Sequence, residues 1–265
     1  MFHNWFNGKS FLLLRQQASF PGRNGQNSEY NSLMSTAHFL FFGRLMDFLL
    51  KNQQDRVITV DFRGPQSIKH LVESLGVPHP EIGPVRVNGQ EGMLSTITQD
   101  GDRVEVHPIP NGCLIEPRFV LDNHLGRLTA YLRMLGFDCL YRNDYDDEEL
   151  AETSQSEERI LLSRDRRLLM RKSVTYGYCL RSLDSLAQLT EVIQRFDLTS
   201  RIRPFHRCLR CNHPLQPVPK EAVMDRLEPL TKMYFDEFQI CPACQQIYWK
   251  GSHYEKMREL IEEIT

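Results

Sequence analysis

Between residues 37 and 110 apolar positions come in short runs separated by turn residues. Residues 38–42 are apolar and strand-like, and residues 57–62 alternate with the period of a second strand. Ile68, Leu71, Val72 and Leu75 repeat at helical spacing, so residues 67–75 are predicted to form a helix with one apolar face. Residues 85–87 make a third apolar run. It ends at Asn88-Gly89, a pair suited to the positive φ values of a hairpin turn. Gly101-Asp102 then opens a last strand over 103–107. The order β-β-α-β-β describes a compact α+β unit.

The pattern changes after residue 117. Residues 118–121, 138–141, 159–163 and 176–181 read as strands. Residues 124–135, 146–153, 165–171 and 184–196 read as helical stretches between and after them. Leu125, Leu128, Leu132 and Leu135 mark the buried face of the first, which Gly136 stops. Strict β/α alternation predicts an α/β parallel sheet with helices on its faces.

Residues 1–36 are rich in Asn, Gln, Gly and Ser, lack sustained periodicity and are expected to form a poorly ordered leader. Met34, just ahead of the first strand, is a candidate start residue. The expected division is a leader over 1–36, an α+β unit over 37–112, the parallel-sheet unit over 117–200 and a smaller module over 201–265. With 265 residues the chain is long enough for about two domains. No apolar run reaches the ~18 residues of a membrane span, and residues 1–36 do not assemble a secretory signal in order. A cytoplasmic protein with no membrane partner is the expectation. A net charge of −2 exerts no global pull toward nucleic acid, so such binding would rest on local patches.

Acids gather at the strand ends. Asp122 ends the first strand of the parallel sheet, and Asp144, Asp146, Asp147, Glu148 and Glu149 lie between the second strand and its helix. Asp165 follows the third strand. Ligands of open parallel sheets bind beyond the carboxyl ends of the strands, so these side chains are expected to share one edge. Clustered carboxylates repel one another unless a cation sits among them, and hard oxygen ligands suit Mg²⁺ or Mn²⁺. Such ions support phosphodiester hydrolysis. The same residues also suit helix caps and a solvated helix start. Their recurrence at three successive β-to-α junctions favours a site. Arg164, Arg166 and Arg167 flank Asp165 and are candidates for substrate phosphates, with Arg171 and Lys172 beyond them. Arg201, Arg203, Arg207 and Arg210 form a second basic group.

Four of the seven cysteines form two C-x-x-C pairs, Cys208/Cys211 and Cys241/Cys244. Two such pairs complete a tetrahedral site for structural zinc in a zinc ribbon, and iron accepts the same geometry. Short helical insertions are expected at 220–224 and 229–235, and a terminal helix at 254–264. Cys139 and Cys179 read as buried strand residues. Tyr248, Trp249, His253 and Tyr254 beside the second pair suit either base stacking or packing of the ribbon.

Two resemblances sharpen this picture. Val87-Asn88-Gly89 and Asp100-Gly101-Asp102-Arg103-Val104, in the order above, resemble the ubiquitin-like β-grasp domains of the sulfur-carrier type. Those carriers need a free C-terminal Gly-Gly, whereas this chain runs on through Pro108-Ile109-Pro110-Asn111-Gly112. Recognition of a protein partner or scaffolding is therefore expected rather than sulfur transfer. Phe119-Val120-Leu121-Asp122-Asn123-His124-Leu125-Gly126-Arg127-Leu128 and Tyr131-Leu132-Arg133-Met134-Leu135-Gly136-Phe137-Asp138 resemble the opening of the Mut7-C RNase family, a PIN-like group. Tyr141-Arg142-Asn143-Asp144-Tyr145-Asp146-Asp147-Glu148-Glu149-Leu150, Ile160-Leu161-Leu162-Ser163-Arg164-Asp165-Arg166 and the paired cysteines continue it. The ubiquitin-like unit resembles the domain that precedes it in bacterial members. The resemblance implies a PIN-like fold, RNA as substrate, and Asp122 and Asp165 as metal ligands and catalytic acids. Asp147 joins them, with Asp146 and Glu148 as rivals in register. A fourth acid has no assigned position. Other readings are a different Mg²⁺-dependent phosphoryl hydrolase, for which Asp122-Asn123-His124 lacks the Asp-x-Asp pattern, and a non-catalytic RNA-binding or adaptor protein.

Overall fold

The computed structural model describes residues 34–264, so the expected leader lies, as far as residue 33, outside the described residues. β1 (Ser35–Phe41) begins three residues earlier than the sequence pattern suggests. Asp100 accepts from the Thr36 N–H at 2.8 Å and the Thr36 carbonyl accepts from Gly101 at 2.7 Å, which draws Ser35 and Thr36 out of the leader into the sheet.

β2 (Ile58–Phe62), β3 (Ile82–Val87), β4 (Gln90–Gly92) and β5 (Arg103–Pro108) complete a five-stranded sheet of order β2-β1-β5-β3-β4. β1 and β5 run parallel at its centre, and the other pairs are antiparallel. α1 (Ile68–Ser74) crosses one face, its first turn capped by Ser67, which accepts from the His70 N–H. Asn88 and Gly89 both have positive φ, 53° and 82°, as the tight β3–β4 turn requires. β4 is one strand more than the pattern predicts, because its three residues are polar or small and paired only by that turn. Residues 43–48 form a 3-10 turn.

A second sheet is wholly parallel, order β7-β6-β8-β9, from β6 (Arg118–Leu121), β7 (Asp138–Leu140), β8 (Ile160–Ser163) and β9 (Gly177–Cys179). α2 (Gly126–Met134), α3 (Asp147–Ser156), α4 (Arg166–Leu169) and α5 (Ser185–Phe196) follow the strands in turn. Strand alternation divides the core. Phe119, Leu121, Leu162 and Tyr178 face one way, packed with Leu128, Leu132, Leu189 and Val192 of α2 and α5. Val120, Leu161 and Cys179 face the other way and share one cluster with Leu150, Leu168 and Leu169 of α3 and α4 and with Phe39, Leu45, Ile68 and Val106 of the first sheet's layer. The N-terminal β-rich unit thus closes a face of the parallel sheet.

That junction also contains a buried charge. Glu81 is fully buried, receives the Arg181 guanidinium at 2.8 Å and the Cys179 N–H at 2.8 Å, and lies 3.6 Å from Arg44.

The remainder is a small antiparallel sheet of β10 (Gln216–Val218), β11 (Phe238–Ile240) and β12 (Ile247–Trp249). Between β10 and β11 lie α6 (Lys220–Val223) and α7 (Pro229–Tyr234), and α8 (Ser252–Ile264) follows. This module is anchored at the amino end of β7. The buried Arg133 donates to the Cys139 carbonyl and, at 3.0 Å, to both the Leu209 and Arg210 carbonyls. Asn212 accepts from the Cys139 N–H and donates to Asp138. Gly136 has φ of 96°, and a Cβ there would overlap the Arg203 carbonyl, where the chain enters the module. Among the described residues no helix is long and apolar enough to cross a membrane.

Candidate functional site

At the carboxyl end of the parallel sheet, successive β-to-α turns present acids to one polar cavity of about 620 Å³. Asp122, Asp147 and Asp165 line it. So does Asp184, an acid the sequence reading had not singled out. Asp184 occupies the fourth β-to-α junction, and the rule that located the other three would have found it.

Ser163, fully buried at the end of β8, ties the centre together. Its hydroxyl donates to Asp122 Oδ2 at 2.6 Å and accepts from the Asp165 N–H at 2.9 Å. Asp122, Asp165 and Asp184 all act as helix caps through Oδ1: the first accepts from His124, the second from Arg167 at 2.7 Å, the third from Leu186 and Ala187 at 3.0 Å. The cap and ligand readings are compatible, because each cap uses one carboxylate oxygen. Among the described residues, Oδ2 of Asp165 and of Asp184 has no hydrogen-bond partner. The amides of α5, Ala187 first, hold the Asp184 carboxyl below the usual carboxylate range. Asp147 makes one long contact, 3.8 Å to Arg171.

The rest of the acidic run points elsewhere. Asp146 caps α3, its Oδ1 accepting from Glu148 and Glu149 while Glu149 answers the Asp146 N–H in a reciprocal capping box. Asp144 is clasped by Arg142 at 2.9 and 3.0 Å. Neither Asp144, Asp146 nor Glu148 lines the cavity.

The arginines also separate. Arg164 lines the cavity, as does Arg127 from the first turn of α2. Neither guanidinium has an ion pair among the described residues. Arg166 turns away, donating to the Phe48 carbonyl at 2.9 Å with its guanidinium over the Phe48 ring. Unlike Arg164 it does not line the cavity, and it joins the parallel-sheet unit to the N-terminal one. Arg167 is exposed outside the cavity. In the second basic group, Arg207 is committed to Asp138 and to the Gly136 and Asn212 carbonyls, and Arg201 pairs with Glu116.

At the opposite end of the sheet the four paired cysteines meet. The thiol sulfurs of Cys208, Cys211, Cys241 and Cys244 lie within 4.8 Å of one another, with Cys208–Cys244 at 3.5 Å and Cys211–Cys241 at 3.3 Å. Among the described residues this is the group whose ligand atoms converge closely enough to hold a metal ion as they stand. Burial pushes the Cys208 thiol up, but hydrogen bonds from Tyr248 and from the Cys211 and Arg210 amides outweigh it and bring it down to about 7. Burial and the neighbouring thiols push Cys211 up to about 12. Four thiols this close cannot all ionise unaided, and a divalent cation is their natural complement. The donor set fits zinc. The other cysteines are apart from it. Burial raises the Cys139 thiol beyond the ordinary range and Cys179 to about 11.

A family model described as Mut7-C ubiquitin matches residues 34–113, and one described as Mut7-C RNAse domain matches residues 117–261. No curated protein and no solved structure matches the chain.

Proposed function

The chain belongs to the Mut7-C RNAse domain family, and from that premise we propose that it is a metal-dependent ribonuclease cleaving RNA at the acidic end of its parallel sheet. The observation that carries this reading is a polar cavity lined by Asp122, Asp147, Asp165 and Asp184 with Arg127 and Arg164. The alternating β/α order and acids at successive strand ends support a PIN-like fold. The β2-β1-β5-β3-β4 order with α1 across it supports a β-grasp, ubiquitin-like N-terminal unit.

The acids fit hard cations, since Asp147, Asp165 and Asp184 each keep carboxylate oxygen that no donor among the described residues satisfies well. Mg²⁺ or Mn²⁺, when bound, supplies Lewis acidity toward the attacking water and the leaving oxygen. Ser163 holds Asp122 in one orientation and fixes the turn that carries Asp165. Arg127 and Arg164 neutralise substrate phosphates, which would otherwise be repelled by four carboxylates. Zinc in the four-cysteine site is structural: a closed thiolate set leaves no position for water. Reduced cysteines suit the cytoplasm. The exposed side of the ubiquitin-like unit is left for a protein partner.

The test is cleavage of labelled single-stranded RNA with Mn²⁺ or Mg²⁺ by the wild type, Asp122→Asn and Asp165→Asn. Metal-dependent cleavage that falls on the order of a hundredfold or more in both variants is expected. RNA bound but uncut with every metal, and unchanged by the variants, overturns the reading in favour of an adaptor.

A further inference from the structure

At the amino end of the parallel sheet, the small antiparallel module, the segment entering it and α8 enclose a second cavity, of about 490 Å³. Its walls include the rings of Phe205, Tyr248, Trp249 and Tyr254. Phe205 and Tyr254 lie face to face at 4.2 Å, tilted by 33°. Tyr248 is fixed through its hydroxyl, which accepts from the Leu209 N–H and contacts Cys208 Sγ at 3.2 Å. Trp249 remains 39% exposed. Side chains that only pack a module against its neighbour close to interior density and leave few voids larger than a water molecule. This space stays open between rings.

The polar groups around it are of two kinds. Lys250 pairs with Glu237 at 2.6 Å, Asp236 with Lys220 at 2.7 Å, and Arg207 is turned to Asp138, so these charges are already satisfied. The His206 ring and the Gln239 amide also line the cavity, and neither has a hydrogen-bond partner among the described residues. Arg203 and Arg210, exposed at the two ends of the lining segment 204–209, have no ion pair among the described residues. Aromatic walls, a solvent-facing donor–acceptor edge and cations without an ion pair among the described residues on either side define the complementary ligand. It is flat and apolar on its faces, hydrogen-bonding at its edge and flanked by anions.

We propose that this cavity holds one nucleobase of a single-stranded RNA, with the neighbouring phosphates toward Arg203 and Arg210. The choice of RNA rests on the ribonuclease reading above. The cavity and the acids lie at opposite ends of strands of three or four residues, about 10 Å long. The base held here is therefore not one that flanks the scissile bond. It anchors the strand and sets how far from that anchor cleavage falls.

The chain contains two tryptophans, Trp5 and Trp249, so Trp5→Phe leaves Trp249 as the only tryptophan, read by excitation at a wavelength that tyrosine does not absorb. The zinc-loaded full chain is titrated, without Mg²⁺ or Mn²⁺, with a short single-stranded RNA and with an abasic strand of the same length and charge. Saturable quenching by the RNA and not by the abasic strand is expected. Trp249→Ala should weaken RNA binding on the order of tenfold, with Trp249→Phe recovering most of it. A double His206→Ala/Gln239→Ala variant should weaken it without altering the fold. Equal quenching by both strands, or by neither, overturns the proposal. Adding Mn²⁺ to the same RNA separates the two readings. Cleavage without a Trp249 response overturns the base site and leaves the nuclease standing; a Trp249 response without cleavage does the reverse.

Discussion

Ser163 gives one hydroxyl to two acids, and its loss should therefore cost more than a single hydrogen bond. In Ser163→Ala, Asp122 loses its donor at 2.6 Å and the Asp165 amide loses its acceptor, while the backbone has no reason to move. If Asp122 and Asp165 hold metal as proposed, a supporting group of this kind typically contributes 10–100-fold. We expect kcat for RNA cleavage to fall by about that factor with KM little changed, and Ser163→Thr to recover part of it. A pure rise in KM would instead make Ser163 a packing residue. At this scale Asp122 and Asp165 were legible in the sequence because β/α alternation says which end of a strand faces the ligand, whereas Asp147 was picked from its acidic run only by the family resemblance, with Asp146 and Glu148 as rivals. Asp184 was hidden only by its reading as an ordinary start of α5. Arg166 could not be sorted from Arg164, since the choice depends on Phe48, more than a hundred residues away in sequence.

Between the residue and the whole stand the short helices that turn the acids toward the cavity. α3 is the clearest case, because Asp146 and Asp147 are adjacent and do different work. Asp146 satisfies two amides of the first turn, whereas Asp147 faces the cavity. Asp146→Ala should lower stability by about 1 kcal/mol, read as a shift in the thermal midpoint, while cleavage per folded molecule is retained. A loss of activity matching Asp147→Asn would return Asp146 to the ligand set. In the parallel unit even β7 and β9, three residues each, were legible because helical stretches alternate with the strands. β4, β10, β11 and β12 span three residues each, too few for alternation to appear. The cysteine pairs were legible for another reason: ligand spacing is a local property of tight turns and needs no periodicity.

At the scale of the molecule, the sequence pattern separates the α+β unit over 37–112 from the parallel-sheet unit over 117–200, but does not say that they share a core. Side chains from the N-terminal sheet, α3, α4 and the parallel sheet form one cluster, and Glu81 lies buried across the junction with Arg181. Such a contact is invisible to periodicity, which reports how an element is buried and not by what. Removing one partner of a buried pair typically costs about 3–5 kcal/mol. Glu81→Ala should therefore lower the urea midpoint of the full chain by that equivalent, followed by circular dichroism, with Glu81→Gln milder. A change below about 1 kcal/mol would mean the two units fold as independent bodies.

The shared core also imposes an order on synthesis. β5 ends at Pro108, but the residues that cover the apolar side of its sheet continue to Cys179, roughly 70 residues later. At ribosomal rates of about 5–20 residues per second, that face waits for several seconds between its own completion and its cover's emergence. During this interval the nascent chain carries an uncovered hydrophobic surface next to a buried-to-be carboxylate. The stretch encoding residues 109–180 is where slowed translation or chaperone shortage would most reduce the yield of folded protein.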